Sequence, residues 1–130
     1  MPISFSIDSV ARFIRARATG LLRDGDLVEY LSRVLEHPAY EPGMSAIVDF
    51  SDVELGDFSA GAVRRLADFT RSLEDRLVGN RVAIVAPQPA VFGLARMYGL
   101  MRDPPYEVNV VRESSEAEAW LGRSDSDAPV

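Results

Sequence analysis

The residues with the most chemistry in this 130-residue chain gather in one stretch, Ser45 to Gly61, SAIVDFSDVELGDFSAG. Asp49, Asp52, Glu54 and Asp57 set four carboxylates close together, and Ser59 follows them where an apolar segment turns into a helical pattern. Clustered carboxylates suit a hard cation. Calcium loops, however, need a defined ligand spacing with a glycine, and magnesium sites usually also recruit a substrate phosphate. This segment has neither feature, so it reads as a solvated acidic turn that holds no metal and no cofactor. Ser59 reads first as a helix N-cap, its hydroxyl accepting from a backbone amide one turn in, an interaction worth about 1 kcal/mol. Its functional alternative is phosphorylation. A dianion there would meet the positive end of the helix while repelling Asp57 and Glu54.

A second cluster lies in PQPAVFGLARMYGLM. Phe92 and Arg96 share a helix face at i, i+4, away from the apolar stripe. With Phe58, Pro87, Gln88 and Tyr98 they are candidates to line a pocket at the carboxyl ends of the central strands, where open α/β sheets place ligands. An aromatic-plus-arginine rim suits an apolar anion such as a lipid or fatty acid. The lone His37 sits beside Pro38 near a helix C-terminus, with no nucleophile nearby in sequence and no metal-ligand spacing. The chain also lacks cysteine and a phosphate-binding glycine loop. The usual acid–base and nucleophilic sets are therefore missing, and the expectation is a protein that is not an enzyme.

The elements that position these residues follow from periodicity. Ile3, Phe5 and Ile7 alternate with polar residues, as do Ile14, Ala16 and Ala18 within Phe13 to Thr19, predicting two strands in an antiparallel hairpin, the second ended by Gly20. Asp24 is the expected N-cap of a helix running to about Glu36, and Pro38 stops it. Ala46 to Phe50 is an almost wholly apolar strand of the kind buried on both faces. A long amphipathic helix is expected from Ser59 to about Leu77, then a strand from Val82 to Ala86. A helix from Pro89 to Arg102, stopped by Pro104-Pro105, a strand from Val108 to Val111 and a short helix from Ser115 to Leu121, with Trp120 docked inward, complete the chain. The order is ββαβαβαβα. Strands alternating with crossover helices imply an α/β fold: a five-stranded, mostly parallel sheet with an antiparallel edge strand and helices mainly on one face. One domain is expected over 1–121, followed by a disordered acidic tail over 122–130.

Bulk properties narrow the classes further. The apolar share is 47%, the charged share 26% and the formal net charge −6, with all 14 basic residues arginine. A negative chain without an aromatic stacking ladder is not expected to bind nucleic acid. Arg12, Arg15, Arg17 and Arg23 make the N-terminal region locally basic, and arginines on a strand read as protection of an exposed edge. No run approaches the roughly 20 apolar residues of a membrane span, and no signal peptide pattern opens the chain, so a cytoplasmic location is expected.

The element order, the segment AIVDFSDVELGDFSAGAVRRL, the segment VAPQPAVFGLARMYGLM and the closing EAEAWL together resemble the SpoIIAA-like proteins. These are small bacterial STAS/SEC14-like domains related to anti-sigma factor antagonists, and the likeness covers nearly all of the chain up to Gly122. It implies a sheet whose strands lie side by side in chain order. In the antagonists the loop after the central strand reads Asp-Ser-Ser-Gly, and a partner kinase phosphorylates its second serine. Here Asp57 and Ser59 match that pattern, whereas Phe58 and Ala60 replace the first serine and the glycine.

Two functional expectations result. The leading one is a non-enzymatic regulatory domain that acts through a protein partner, at Asp57, Phe58 and Ser59. The alternative is a carrier or sensor of a small apolar ligand, using Phe58, Pro87, Gln88, Phe92, Arg96 and Tyr98. The winding adds a third surface. If the helices gather on one side, Ile47, Ala83 and Val85 are left on the other, flanked by Arg15 and Arg17, as an apolar patch fit for a partner or a homodimer.

Overall fold

The computed structural model describes residues 2–101 and 106–122. β1 (Ile3–Asp8) and β2 (Phe13–Leu22) form the hairpin, and α1 (Asp26–Glu36) crosses to β3 (Ser45–Leu55). α2 (Ala60–Arg71) and α3 (Glu74–Leu77) lead to β4 (Arg81–Val85), α4 (Pro89–Met101) to β5 (Glu107–Val111), and α5 (Ser114–Trp120) follows. The five strands lie in chain order, β1 antiparallel to β2 and every later pair parallel. The α/β architecture is the expected one.

Strand parity sorts the side chains between two faces. Ile14, Ala16, Ala46, Val48, Phe50 and Ile84 point to a layer shared with α1, α2, α3 and α4, and this is the larger core. Phe13, Ile47, Ala83, Val85 and Val111 point the other way. That second face is not an open patch. Ala117 of α5 is completely buried against it, with Trp120 and Leu121 packed alongside, leaving Ile47, Ala83 and Val85 3%, 0% and 1% exposed. The short final helix thus covers the surface expected to dock a partner or a second copy. Two arginines fasten it. Arg15 pairs with the buried Glu118 at 3.1 Å, and Arg81 stacks its guanidinium 4.4 Å from the Trp120 ring centroid while donating to the Trp120 carbonyl.

Four other details differ from the pattern-based expectations. β2 continues through Gly20, which adopts φ +76°, and a register shift between Arg17 and Thr19 lets the strand run on beside an equally prolonged β3. A bulge and a left-handed glycine together accommodate what looks in sequence like a terminator. The long helix is broken between α2 and α3. Thr70 and Ser72 turn their hydroxyls back onto the Ala67 and Phe69 carbonyls, and the Leu73 amide bonds Thr70 three residues earlier. Such side-chain bonds compete with the helical ladder and tighten its last turn. Asp24 does not cap α1; left-handed Gly25 holds that position, and the Asp24 carboxylate turns to Arg65 instead. Finally, β2 is an interior strand, so Arg15 and Arg17 do not guard an edge. Arg15 fastens α5, and Arg17 pairs with Asp52 on β3. The tail expected over 122–130, beyond Gly122 itself, and the Pro104-Pro105 stop lie outside the described residues.

Candidate functional site

Between the sheet and its larger helical layer lies a cavity of about 120 Å³. Its floor is the inner face of β3 and β4, where Ala46 is small and Val48, Phe50 and Ile84 stand beside it. α1 contributes Leu27, Tyr30, Leu31 and Val34, one stripe at helical spacing. α2 adds Val63 and Leu66, and α4 adds Val91, Leu94, Ala95 and Tyr98. The alanines at 46 and 95 come from opposite walls, and short side chains there leave volume that longer ones would fill. Among the described residues no charged side chain lines the space. An engineered apolar cavity of roughly 150 Å³ admits benzene, so the volume suits a small apolar molecule.

The polar groups in the wall are mostly engaged. Asn80 donates to the Tyr40 hydroxyl at 2.9 Å and accepts from the Gly43 amide at 2.7 Å, while Tyr40 donates to the Arg76 carbonyl. Burial pushes the Tyr40 hydroxyl pKa up, a shift opposed by its Asn80 bond and the Arg76 charge. The Tyr98 hydroxyl meets Thr70 at 3.4 Å. Tyr30 packs edge-on to Phe5, with ring centroids 5.7 Å apart, and burial alone drives its pKa well above the ordinary tyrosine value.

A groove of about 320 Å³ adjoins the cavity between the beginnings of α1 and α2. Leu27, Phe58 and Leu66 border both spaces, so these three side chains form the partition between them. Across the groove Arg65 forks onto the Asp24 carboxylate, and the Asp24 amide donates to Asp57 at 2.7 Å. The hydrogen bond and charge of Asp24 hold the Arg65 guanidinium above its usual pKa.

The sequence-selected residues therefore divide among several places. Phe58 is buried and lines both spaces, and Tyr98 lines the cavity. Asp57 ties the turn to the start of α1. Ser59 is exposed at the N-cap of α2 with extended backbone, and its carbonyl accepts from Val63, but its hydroxyl makes no cap bond. The expected side-chain cap is thus absent. Pro87 and Gln88 are exposed at the end of β4, where the Gln88 amide donates to the Val53 carbonyl at 3.0 Å. Phe92 is half-buried against the larger core and Arg96 is exposed beside it on α4, and a third residue joins them. Arg112, just past β5, holds its guanidinium 4.5 Å from the Phe92 ring centroid, against 6.0 Å for Arg96. Parallel pairing of β4 with β5 brings Arg112 there, which spacing along the chain does not reveal. The sequence reading did not select Tyr30, which lines the cavity from α1.

Of the acidic set, Asp49 accepts from the Ser51 amide and hydroxyl, Asp52 pairs with Arg17, and Asp57 is engaged as above. Among the described residues no group of three or more potential ligands is arranged for a metal. His37 accepts at Nδ1 from the Ala39 amide. No described helix is long and apolar enough to cross a membrane.

No protein-family model matches the sequence, and no curated protein does. Among solved structures the chain is similar to a crystal structure of an uncharacterised DUF3478-family protein with a SpoIIAA-like fold from Shewanella loihica PV-4. The two share 19% identity over 92% of this chain and 93% of that one, with a TM-score of 0.58. The chain has a SpoIIAA-like fold.

Proposed function

We propose that this SpoIIAA-like domain is a non-enzymatic, cytoplasmic binding module for a small apolar ligand, held in the cavity beneath α1, α2 and α4. One observation carries the reading: a space of about 120 Å³ whose described lining residues include no charged one, inside a core whose opposite face is tightly closed. The groove beyond Leu27, Phe58 and Leu66 supplies the side from which a ligand enters. Absence of cysteine, and a single histidine already engaged with the Ala39 amide, support binding without catalysis. The ligand site differs from the strand-end rim selected in the sequence, because Phe58 and Tyr98 line the cavity, whereas half-buried Phe92 and exposed Arg96 are not among its described lining residues.

Organic extraction of freshly purified protein, followed by mass spectrometry, tests this. A stoichiometric small molecule is expected from the wild type and not from Ala46→Ile, which places added methyl groups in the cavity. Extracts without any such molecule, from protein that also fails to take up added hydrocarbon, would contradict the reading.

A second reading is favoured by Ser59, which is exposed and has no side-chain cap bond. A protein partner, or a kinase, would meet a hydroxyl not committed to the helix, and Asp57 and Phe58 would set the turn that presents it. Unchanged partner capture by Ser59→Asp, with no phosphate on Ser59 in cells, would remove this reading.

A further inference from the structure

We infer that Arg96 and Arg112, gathered on the Phe92 ring, form a site for a phosphate monoester carried by a small soluble molecule. The ring is the fixed point. Phe92 is half-buried against the larger core near the beginning of α4, and the two guanidinium carbons lie 6.0 and 4.5 Å from its centroid. Arg96 reaches the ring from one turn further along α4, and the parallel pairing of β4 with β5 brings Arg112 to it. Two like charges on one ring repel each other. Elsewhere in the fold an arginine usually has a partner: Arg12, Arg15, Arg17, Arg65, Arg71 and Arg81 sit in ion pairs. Arg33 and Arg76 donate to the Ile3 and Leu35 carbonyls. Among the described residues Arg96 and Arg112 have no carboxylate within ion-pair distance, although Glu113 follows Arg112 directly and the chain carries 20 acidic residues against 14 basic ones.

The arrangement selects the anion. A guanidinium held over an aromatic face keeps the N–H groups of its planar edge for another acceptor. Contact with the ring also restrains a long side chain, so less freedom is lost when an anion binds. Two such forks match an oxyanion with three acceptor oxygens and close to two negative charges, which is a phosphate monoester at neutral pH. A carboxylate brings one charge and two oxygens, and leaves one arginine unmatched. The charge of the whole chain selects the size. At −6 the protein repels an extended anionic surface, whereas a small anion meets chiefly the two cations within a screening length of about 8 Å. Neither Phe92 nor either arginine is among the described residues lining the cavity, so this site stands apart from the cavity reading.

Amide NMR titration of the full chain with glycerol 3-phosphate, in about 0.15 M sodium chloride, tests the inference. Saturable shifts are expected at Phe92, Arg96 and Arg112, with propionate binding about ten-fold more weakly and inorganic phosphate competing for the same residues. Arg112→Gln should weaken glycerol 3-phosphate about ten-fold, as the loss of a charge-assisted hydrogen bond does. Arg64→Gln removes an exposed arginine of α2, changes the net charge equally and should leave the affinity within two-fold. Vesicles of phosphatidylcholine containing phosphatidate should not sediment the protein. Equal weakening by the two variants would reduce the effect to net charge and overturn the site. Propionate binding as tightly as glycerol 3-phosphate would overturn the phosphate assignment. Sedimentation with the vesicles, without binding of the soluble probe, would assign the arginines to a lipid surface and overturn the small-molecule reading. Shifts that never saturate, or that saturate only elsewhere, would overturn the inference altogether.

Discussion

The two faces of the sheet are built from alternate residues of the same strands, yet they are closed in different ways. One face is covered by four helices and retains a cavity of about 120 Å³. Among the described residues the other is covered by the seven-residue α5, and it packs closely, because Ala83 and Ala117, both completely buried, are small enough for helix and sheet to meet. Large helices carrying long side chains span the first layer from several directions, and their tips need not fill its centre. A short helix carrying alanine leaves no such centre. Area of cover and quality of packing are therefore separate properties, and in this fold the better-covered face is the looser one.

The sharpest way to break the comparison is to place the same kind of added bulk on each face. Ala83→Leu inserts three carbons where Ala83 is completely buried under α5, and overpacking of this kind costs about 3 kcal/mol. Chemical denaturation should show that loss. A variant as stable as wild type would mean that α5 sits loosely and the contrast between faces is wrong.

Arg15→Met probes the same face more gently. It removes the charge facing the 5%-exposed Glu118 and, with it, the guanidinium that lies 5.0 Å from the Phe13 ring centroid. Since Arg15 is itself partly exposed, solvent screens the pair, and a loss of about 1.5 kcal/mol is expected by denaturation. Unchanged stability would show that α5 is held by its apolar contacts alone.

Ala46→Ile makes the opposite-signed test. On the cavity face added methyl groups meet space, so stability should rise by about 1 kcal/mol, in the range typical of cavity filling, and ligand should be excluded. Destabilisation comparable to that of Ala83→Leu would show that no usable space is present.

Much of the fold was legible because it is periodic. Alternation along Ile3 to Ala18 and the apolar runs at Ala46–Phe50 and Val82–Ala86 placed the strands and their faces, and the helix stripes placed the layer above them. What failed was local and non-periodic. Gly20 terminates most strands, and only pairing with β3 carries this one past it. The break after α2 depends on where two hydroxyls turn, although Thr70 and Leu73 lie on an unbroken stripe. α5 was expected as a short helix with Trp120 docked inward, but nothing in its own pattern ties Glu118 to Arg15, which β2 delivers to it.

The candidate site was less legible for a related reason. A cavity is made of side chains that do not reach, and no spacing encodes that. Phe58 and Tyr98 were selected for their chemistry and do reach it, whereas Phe92 and Arg96 were grouped with them by helix spacing although neither is among its described lining residues. Tyr30 was overlooked because an aromatic inside an apolar stripe reads as ordinary core.

The most direct test is to put xenon on the protein and read the methyl groups of both faces at once by NMR. Xenon enters dry apolar cavities without needing a polar contact. Saturable shifts are expected at Leu27, Val48, Val63, Leu66 and Val91, with Ala83, Val85 and Ala117 unmoved. Shifts confined to the α5 face, or none that saturate on either face, would contradict the account.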